Sequence, residues 1–308
     1  MDSDGTTVRV GAQKVNRMQK ITPFLWFDKD AEAAVKHYVS VFKNSKIHAI
    51  VKYPEGTPGK AGTVMTVDYQ LEGQQFTAIN GGPEFTFSPA ISFFVTCKTE
   101  QEVIDLHKKL NVGGTTMMPL DTYPFSKKYV WFNDKYGVSW QLFLGEGTQK
   151  ITPALLFVGK QHGNAKAAIE FYTSIFKHSS IELLMPYEKS EDKPGIKHGR
   201  FTLEKQQFIA MDSGYDHKFS FKQAVSFLVT CETQEEIDYY WEKLTKGGTI
   251  IQCGWLSDKF GVPWQIVPTA LGKMMINADP KTTQRIMGAV MKMKKLDLKK
   301  LQEAYNKK

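Results

Sequence analysis

Cys253-Gly254-Trp255-Leu256-Ser257-Asp258-Lys259-Phe260-Gly261-Val262-Pro263-Trp264-Gln265-Ile266-Val267-Pro268 reads as two short strands folded about a turn, and the chain contains this pattern twice. The earlier copy is Val130-Trp131-Phe132-Asn133-Asp134-Lys135-Tyr136-Gly137-Val138-Ser139-Trp140-Gln141-Leu142-Phe143. Both copies place Asp three residues after Trp, an aromatic-Gly pair at the turn, and Trp-Gln inside an apolar run. Agreement in that detail is the signature of an internal duplication.

The repeat extends outward on both sides. Ile151-Thr152-Pro153 repeats Ile21-Thr22-Pro23, Ala167 to Tyr172 repeats Ala33 to Tyr38, and Ser226 to Cys231 repeats Ser92 to Cys97. Inside the first copy, a strand at 21–27 leads to Asp30 as a helix cap and to Ala31, Ala34, Val35, Tyr38 and Phe42 at helical spacing. Strands at 47–53, 63–71 and 74–80 follow, the last two joined at Glu72-Gly73. The order then begins again: strand 90–97, helix 100–110, Gly113-Gly114 where a left-handed residue is wanted, and strands 115–118, 129–133 and 138–144. The expected fold class is α+β, with four βαβββ modules in tandem. The expected domains are a disordered extension 1–19, units 20–146 and 150–272, and a basic amphipathic helical tail 273–308. The first unit carries ten extra residues around Pro119 to Lys128, read as an inserted loop. In the tail, Asp279-Pro280 and Asp297 each start a helix.

Of the net charge of +8, residues 273–308 supply +7, with ten Lys or Arg against three acidic side chains. The body is nearly neutral, which argues against a nucleic-acid cleft. No apolar run is long enough to span a membrane. Cys97, Cys231 and Cys253 show no ligand or disulfide spacing, which suits reduced thiols and a cytoplasmic location.

Three stretches carry a resemblance to a known family: Asn80-Gly81-Gly82-Pro83 with Phe85 and Phe87, the Cys253 to Pro268 segment, and Ala278-Asp279-Pro280 with Met291-Lys292-Met293-Lys294-Lys295-Leu296-Asp297. The chain resembles the PhnB-like branch of the vicinal oxygen chelate (glyoxalase) superfamily, often labelled 3-demethylubiquinone 3-methyltransferase, over residues 20 to 305. The resemblance implies paired modules curled around a cavity, and an internal pseudo-dimer or a homo-oligomer. It places the superfamily's metal-ligand positions at Pro23, Pro153, Ala90, Ala224, Gln141 and Gln265, a set poor in metal donors. No catalytic metal and no cofactor are therefore expected. A usual methyl-donor site would need a Gly-rich loop in a doubly wound sheet, and no such pattern occurs.

Period-two counting puts Pro263, Gln265 and Val267 on one face, and Ser139, Gln141 and Phe143 on the matching one. Gln141 and Gln265 are the candidate ligand-orienting residues; each amide could equally satisfy a backbone group. Asn80, Asp212, Trp131 and Trp255 complete the candidate cavity set, Asp212 as a weak general-base candidate and the two Trp as wall or core. Asp134 and Asp258 are read as caps of the hairpin turn. The expected function is binding of a small polar molecule. The alternatives are a lyase, isomerase or transferase of the same superfamily, and an interaction scaffold using the tail and the 119–128 segment.

Overall fold

The computed structural model describes residues 19–56, 59–188 and 194–307; the expected N-terminal extension lies, save for Gln19, outside them. The first module is β1 (Ile21–Phe27), α1 (Ala31–Val41), β2 (Lys46–Lys52), β3 (Val64–Leu71) and β4 (Gln74–Asn80). The second is β5 (Ile91–Cys97), α2 (Glu100–Leu110), β6 (Thr115–Tyr123), β7 (Ser126–Asn133) and β8 (Ser139–Leu144). The third is β9 (Ile151–Phe157), α3 (Ala165–Ile175), β10 (Ser180–Pro186), β11 (Ile196–Leu203) and β12 (Gln206–Asp212). The fourth is β13 (Val225–Cys231), α4 (Gln234–Thr245), β14 (Thr249–Ile250), β15 (Trp255–Ser257) and β16 (Pro263–Pro268), and the tail forms α5 (Thr269–Asn277), α6 (Pro280–Val290) and α7 (Leu298–Asn306).

The strands assemble into two eight-stranded sheets, ordered β14-β15-β16-β13-β1-β4-β3-β2 and β10-β11-β12-β9-β5-β8-β7-β6. Each sheet takes one module from each sequence repeat: the first combines modules one and four, the second modules two and three. The seams are antiparallel, β1 on β13 with Phe24 opposite Ser226, and β5 on β9 with Ser92 opposite Ala154.

Alternation along each strand sorts residues onto two faces. Ile21, Leu25 and Phe27 of β1, Val67, Tyr69 and Leu71 of β3, and Trp264 and Ile266 of β16 are buried in one continuous core with the helices. The intervening residues, Phe24, Trp26, Asp68, Thr77, Ser226 and Gln265, point to the face opposite α1 and α4. That face is concave. Neighbouring strands stand about 4.8 Å apart, so the rings of Phe24 and Trp255, three strands away from each other, could not reach a centroid distance of 5.6 Å on a flat sheet.

Three local expectations need correction. Pro23 lies opposite Phe227 in the ladder and shares its helix-packed face, so it does not point to the cavity side; Pro153 likewise lies opposite Phe93. The parity of β1 puts Thr22, Phe24 and Trp26 inward instead. Residues 119–128 are not a loop: β6 and β7 run on as a paired hairpin, with Asp121 opposite Tyr129 and Tyr123 opposite Ser126. Asp30 occupies the N-cap position of α1 but its side chain makes no capping bond; Asn80 supplies it from β4, accepting from Ala31 N at 2.8 Å.

The tail helices close on the first sheet. Asp279 and Asp297 cap α6 and α7 as expected, accepting from Thr282 N and Lys300 N. Ile286, Val290, Leu296 and Leu301 bury one apolar face against Cys253 and Val267. On the opposite edge of the same sheet, Gly56 in the β2–β3 connection abuts α6, where any Cβ would meet the Gln284 amide 2.2 Å away.

Candidate functional site

Across the concave face of the first sheet, one row of side chains crosses six strands: Asp68, Thr77, Phe24, Ser226, Gln265 and Trp255. Gln265 is buried and its Nε2 donates to Ser226 Oγ at 2.9 Å. The second sheet carries the equivalent row Arg200, Ile209, Ala154, Ser92, Gln141 and Trp131, with Gln141 Nε2 donating to Ser92 Oγ at 2.8 Å. The two glutamines named from sequence thus occupy matching inward positions, each bonded to a serine on the neighbouring strand.

The rows differ in what happens next. In the second sheet Tyr129 Oη donates to Gln141 Oε1, and Trp131 Nε1 donates to Ser139 Oγ at 2.9 Å. Phe94, Tyr129, Trp131, Leu156 and Ile209 then bury themselves together over this face. In the first sheet Cys253 stands where the other copy has Tyr129, and Pro263 where it has Ser139. Among the described residues, no donor reaches Gln265 Oε1 and no acceptor reaches Trp255 Nε1. A free acceptor and a free donor therefore sit on the same concave face.

Aromatic rings surround them, Trp26, Phe85 and Trp255 half-exposed and Phe24 buried. Trp26 packs edge-on to Phe85 at 4.9 Å and to Trp255 at 5.8 Å, and Phe24 meets Trp255 at 5.6 Å. Gly81 makes room for the Trp26 indole, since a Cβ there would lie 2.1 Å from the ring, and Gly82 O accepts from Trp26 Nε1 at 2.9 Å. The Asn80-Gly81-Gly82-Pro83 segment is thereby explained as the seat of one wall of the site. Asp68 takes one hydrogen bond, from Thr77 Oγ1 at 2.7 Å, and burial pushes its carboxyl above the ordinary range.

Asn80 and Asp212 fall elsewhere. Both are on the helix side: Asn80 binds Ala31 N and Val64 O, while Asp212 accepts from Gly163 N, Ala165 N and Ile196 N. They anchor helix N-termini and meet neither glutamine. Asp134 and Asp258 also serve backbone, accepting from Tyr136 N and Val138 N, and from Phe260 N and Val262 N. Trp131 is sealed in the second sheet's apolar cluster and Trp255 remains half-exposed in the first. Sequence reasoning missed Phe24, Trp26, Ser226 and Asp68, although extending the period-two count from Gln265 across the strands would have reached each of them.

A profile of the family described as 3-demethylubiquinone-9 3-methyltransferase matches residues 19–143 and 149–267. The chain belongs to that family. A PhnB protein from Bacillus cereus, described under the same methyltransferase name, is 50% identical over 41% of this chain and 100% of its own, with a TM-score of 0.40. A Staphylococcus aureus protein is 39% identical over 42% of this chain and 98% of its own, with a TM-score of 0.18. Glyoxalase I from Zea mays, at 11% identity, covers 83% of this chain and 96% of its own with a TM-score of 0.52, a likeness of fold alone. No curated protein matches the chain.

Metal-dependent members of the vicinal oxygen chelate superfamily need His, Cys or carboxylate donors converging on an open position. Around Gln141 and Gln265 this PhnB-like protein presents Ser92, Ser226, Thr22 and Thr152, neutral hydroxyls that suit a divalent ion poorly. Ala90 and Ala224, buried at the strand starts, offer no donor atom. Among the described residues no three His, Cys, Asp or Glu side chains gather as a metal site. The donor set does not fit a catalytic metal.

A separate cavity of about 450 Å³ lies between the two sheets' ends. Gln74 and Gln206, at matching starts of β4 and β12, border it, and all four of their amide heteroatoms are buried without a hydrogen-bond partner among the described residues. Among the described residues no helix is long and apolar enough to cross a membrane.

Proposed function

We propose that this PhnB-like protein binds a small polar molecule on the concave face of its first sheet, with Gln265 and Trp255 orienting it and no catalytic metal. The observation that carries the reading is the difference between two matching rows. Tyr129 and Ser139 saturate Gln141 and Trp131 from within the protein, whereas their counterparts Cys253 and Pro263 leave Gln265 Oε1 and Trp255 Nε1 open to a partner. A ligand that donates to the amide oxygen and accepts from the indole would pair both groups. Phe24, Trp26 and Phe85 would exclude water around the polar contacts, the usual composition of a small-molecule pocket. The second sheet's face, packed with its own side chains, would serve as scaffold.

The methyltransferase name attached to the family carries no weight in this proposal. Both sheets are mixed βαβββ assemblies, without the parallel strand-to-Gly-rich-loop unit through which methyl-donor nucleosides are usually held.

Native mass spectrometry of the protein purified from its own host tests the proposal. A small molecule is expected to co-purify with wild type and with Gln141→Leu, and to be lost from folded Gln265→Leu. Loss from Gln141→Leu alone would overturn the assignment. Recovery of the molecule unchanged after prolonged incubation would separate binding from turnover.

A further inference from the structure

Resting on the reading that this concave face is the binding face, we propose that its ligand is a cation, an amine or quaternary ammonium group carried on an apolar body. Asp68 stands at one end of the row, and its carboxylate has one hydrogen-bond donor, Thr77, and no ion-pair partner among the described residues. Its counterpart in the second sheet is Arg200, whose guanidinium is neutralised by Glu182 at 2.9 Å. Glu182 occupies the extra position of a β-bulge, and the matching bulge in the first sheet holds His48, which is exposed and, among the described residues, forms no ion pair within 4.0 Å of Asp68. The same architecture therefore pairs its charge closely in one sheet and leaves a carboxylate without a close ion pair in the other, where His48 acts on it only at longer range.

Groups farther along the row, Phe24 two strands and Gln265 four strands from Asp68, agree in sign. Phe24, Trp26, Phe85 and Trp255 lie at centroid separations of 4.9 to 6.2 Å and form an aromatic cluster on the same concavity. Gln265 adds an amide oxygen as a second acceptor. A carboxylate, a carbonyl oxygen and several π faces together favour a cation and disfavour an anion. Trp255 Nε1 remains available for a neutral acceptor on the same molecule. Second-sheet positions matching Thr77 and Phe24 are Ile209 and Ala154, so the feature belongs to one sheet only.

The test is a tryptophan-fluorescence titration of the full chain with benzyltrimethylammonium, benzyl alcohol and benzoate, on wild type, Asp68→Asn and Gln265→Leu, with circular dichroism checking the fold. The cation is expected to bind wild type roughly ten-fold more tightly than the other two probes, and Asp68→Asn to erase that advantage while keeping the fold. Benzoate binding as tightly as the cation, or Asp68→Asn keeping the full preference, would overturn the cationic class. If all three probes bind alike and Gln265→Leu abolishes them, the binding face stands and only the cation assignment falls. If none binds saturably, both fall.

Discussion

Tyr38 Oη donates a 2.6 Å hydrogen bond to Asp134 Oδ2, tying a helix packed on the first sheet to a hairpin turn of the second. Tyr172 and Asp258 repeat the contact in the reverse direction at 2.7 Å. Trp140 Nε1 and Trp264 Nε1 share the same carboxylates, each at 2.9 Å. Removing one tyrosine hydroxyl leaves a buried carboxylate short of a donor, a loss of about 1–3 kcal/mol. Tyr38→Phe and Tyr172→Phe are each expected to lower the urea midpoint by a comparable amount, with little change in the slope of the transition.

The two row glutamines should differ in structural weight. Truncating Gln141 strands the Tyr129 hydroxyl in an apolar cluster, a loss of about 1–3 kcal/mol. Gln265→Ala removes one bond to Ser226 and leaves Cys253 undisturbed, so its unfolding free energy should fall by less. Equal losses in parallel urea titrations would contradict the asymmetry between the sheets.

Asp68 gives a pH-dependent signature. Its folded value is raised above 3.8 by burial, so its stabilising contribution is complete below about 3.8 and is lost as pH rises through the raised value. Asp68→Asn is accordingly expected to melt at a higher temperature than wild type at neutral pH. The gap should close as pH falls toward the ordinary carboxylate value, as thermal melts across that interval would show.

Gln74 and Gln206 offer a stability gain. Both amides are buried without partners, and replacing both by leucine removes the desolvation cost while keeping the volume close. The double variant is expected to gain about 1–2 kcal/mol in urea titration. A loss would show that a bound molecule or water network satisfies the pair.

Cysteine reactivity should follow burial. The Cys97 thiol is pushed up to about 11 and the Cys231 thiol to about 12, chiefly by desolvation. In the native protein at pH 8 a disulfide reagent is expected to spare both, and to react first with the partly exposed Cys253. Mass mapping of the labelled thiol checks the order.

Local pattern was sufficient for the modules. Apolar residues at helical spacing located α1, Thr99 and Thr233 cap α2 and α4 through Glu102 N and Glu236 N, and the doubled Trp-Gln hairpin declared the repeat. These features depend on residues a few positions apart, which is the range over which sequence periodicity is informative. Gln141 and Gln265 were legible for the same reason, since parity along a short strand needs no knowledge of its neighbours.

What the sequence alone determined was the set of four βαβββ units, the two glutamines at matching inward positions, and the nearly neutral body with its basic tail. Only tertiary structure decided that module one pairs with module four and module two with module three, because strand edges carry backbone groups whose pairing is not written in side-chain period. It also turned Pro23 toward the helices, gave Asn80 the capping role expected of Asp30, and gathered Asp68, Phe24 and Trp255 on one face from three separate parts of the chain. Phe24 and Trp255, 231 positions apart, become neighbours only when a twisted sheet curls, and that curl is a property of the assembled ladder, beyond the reach of any one strand.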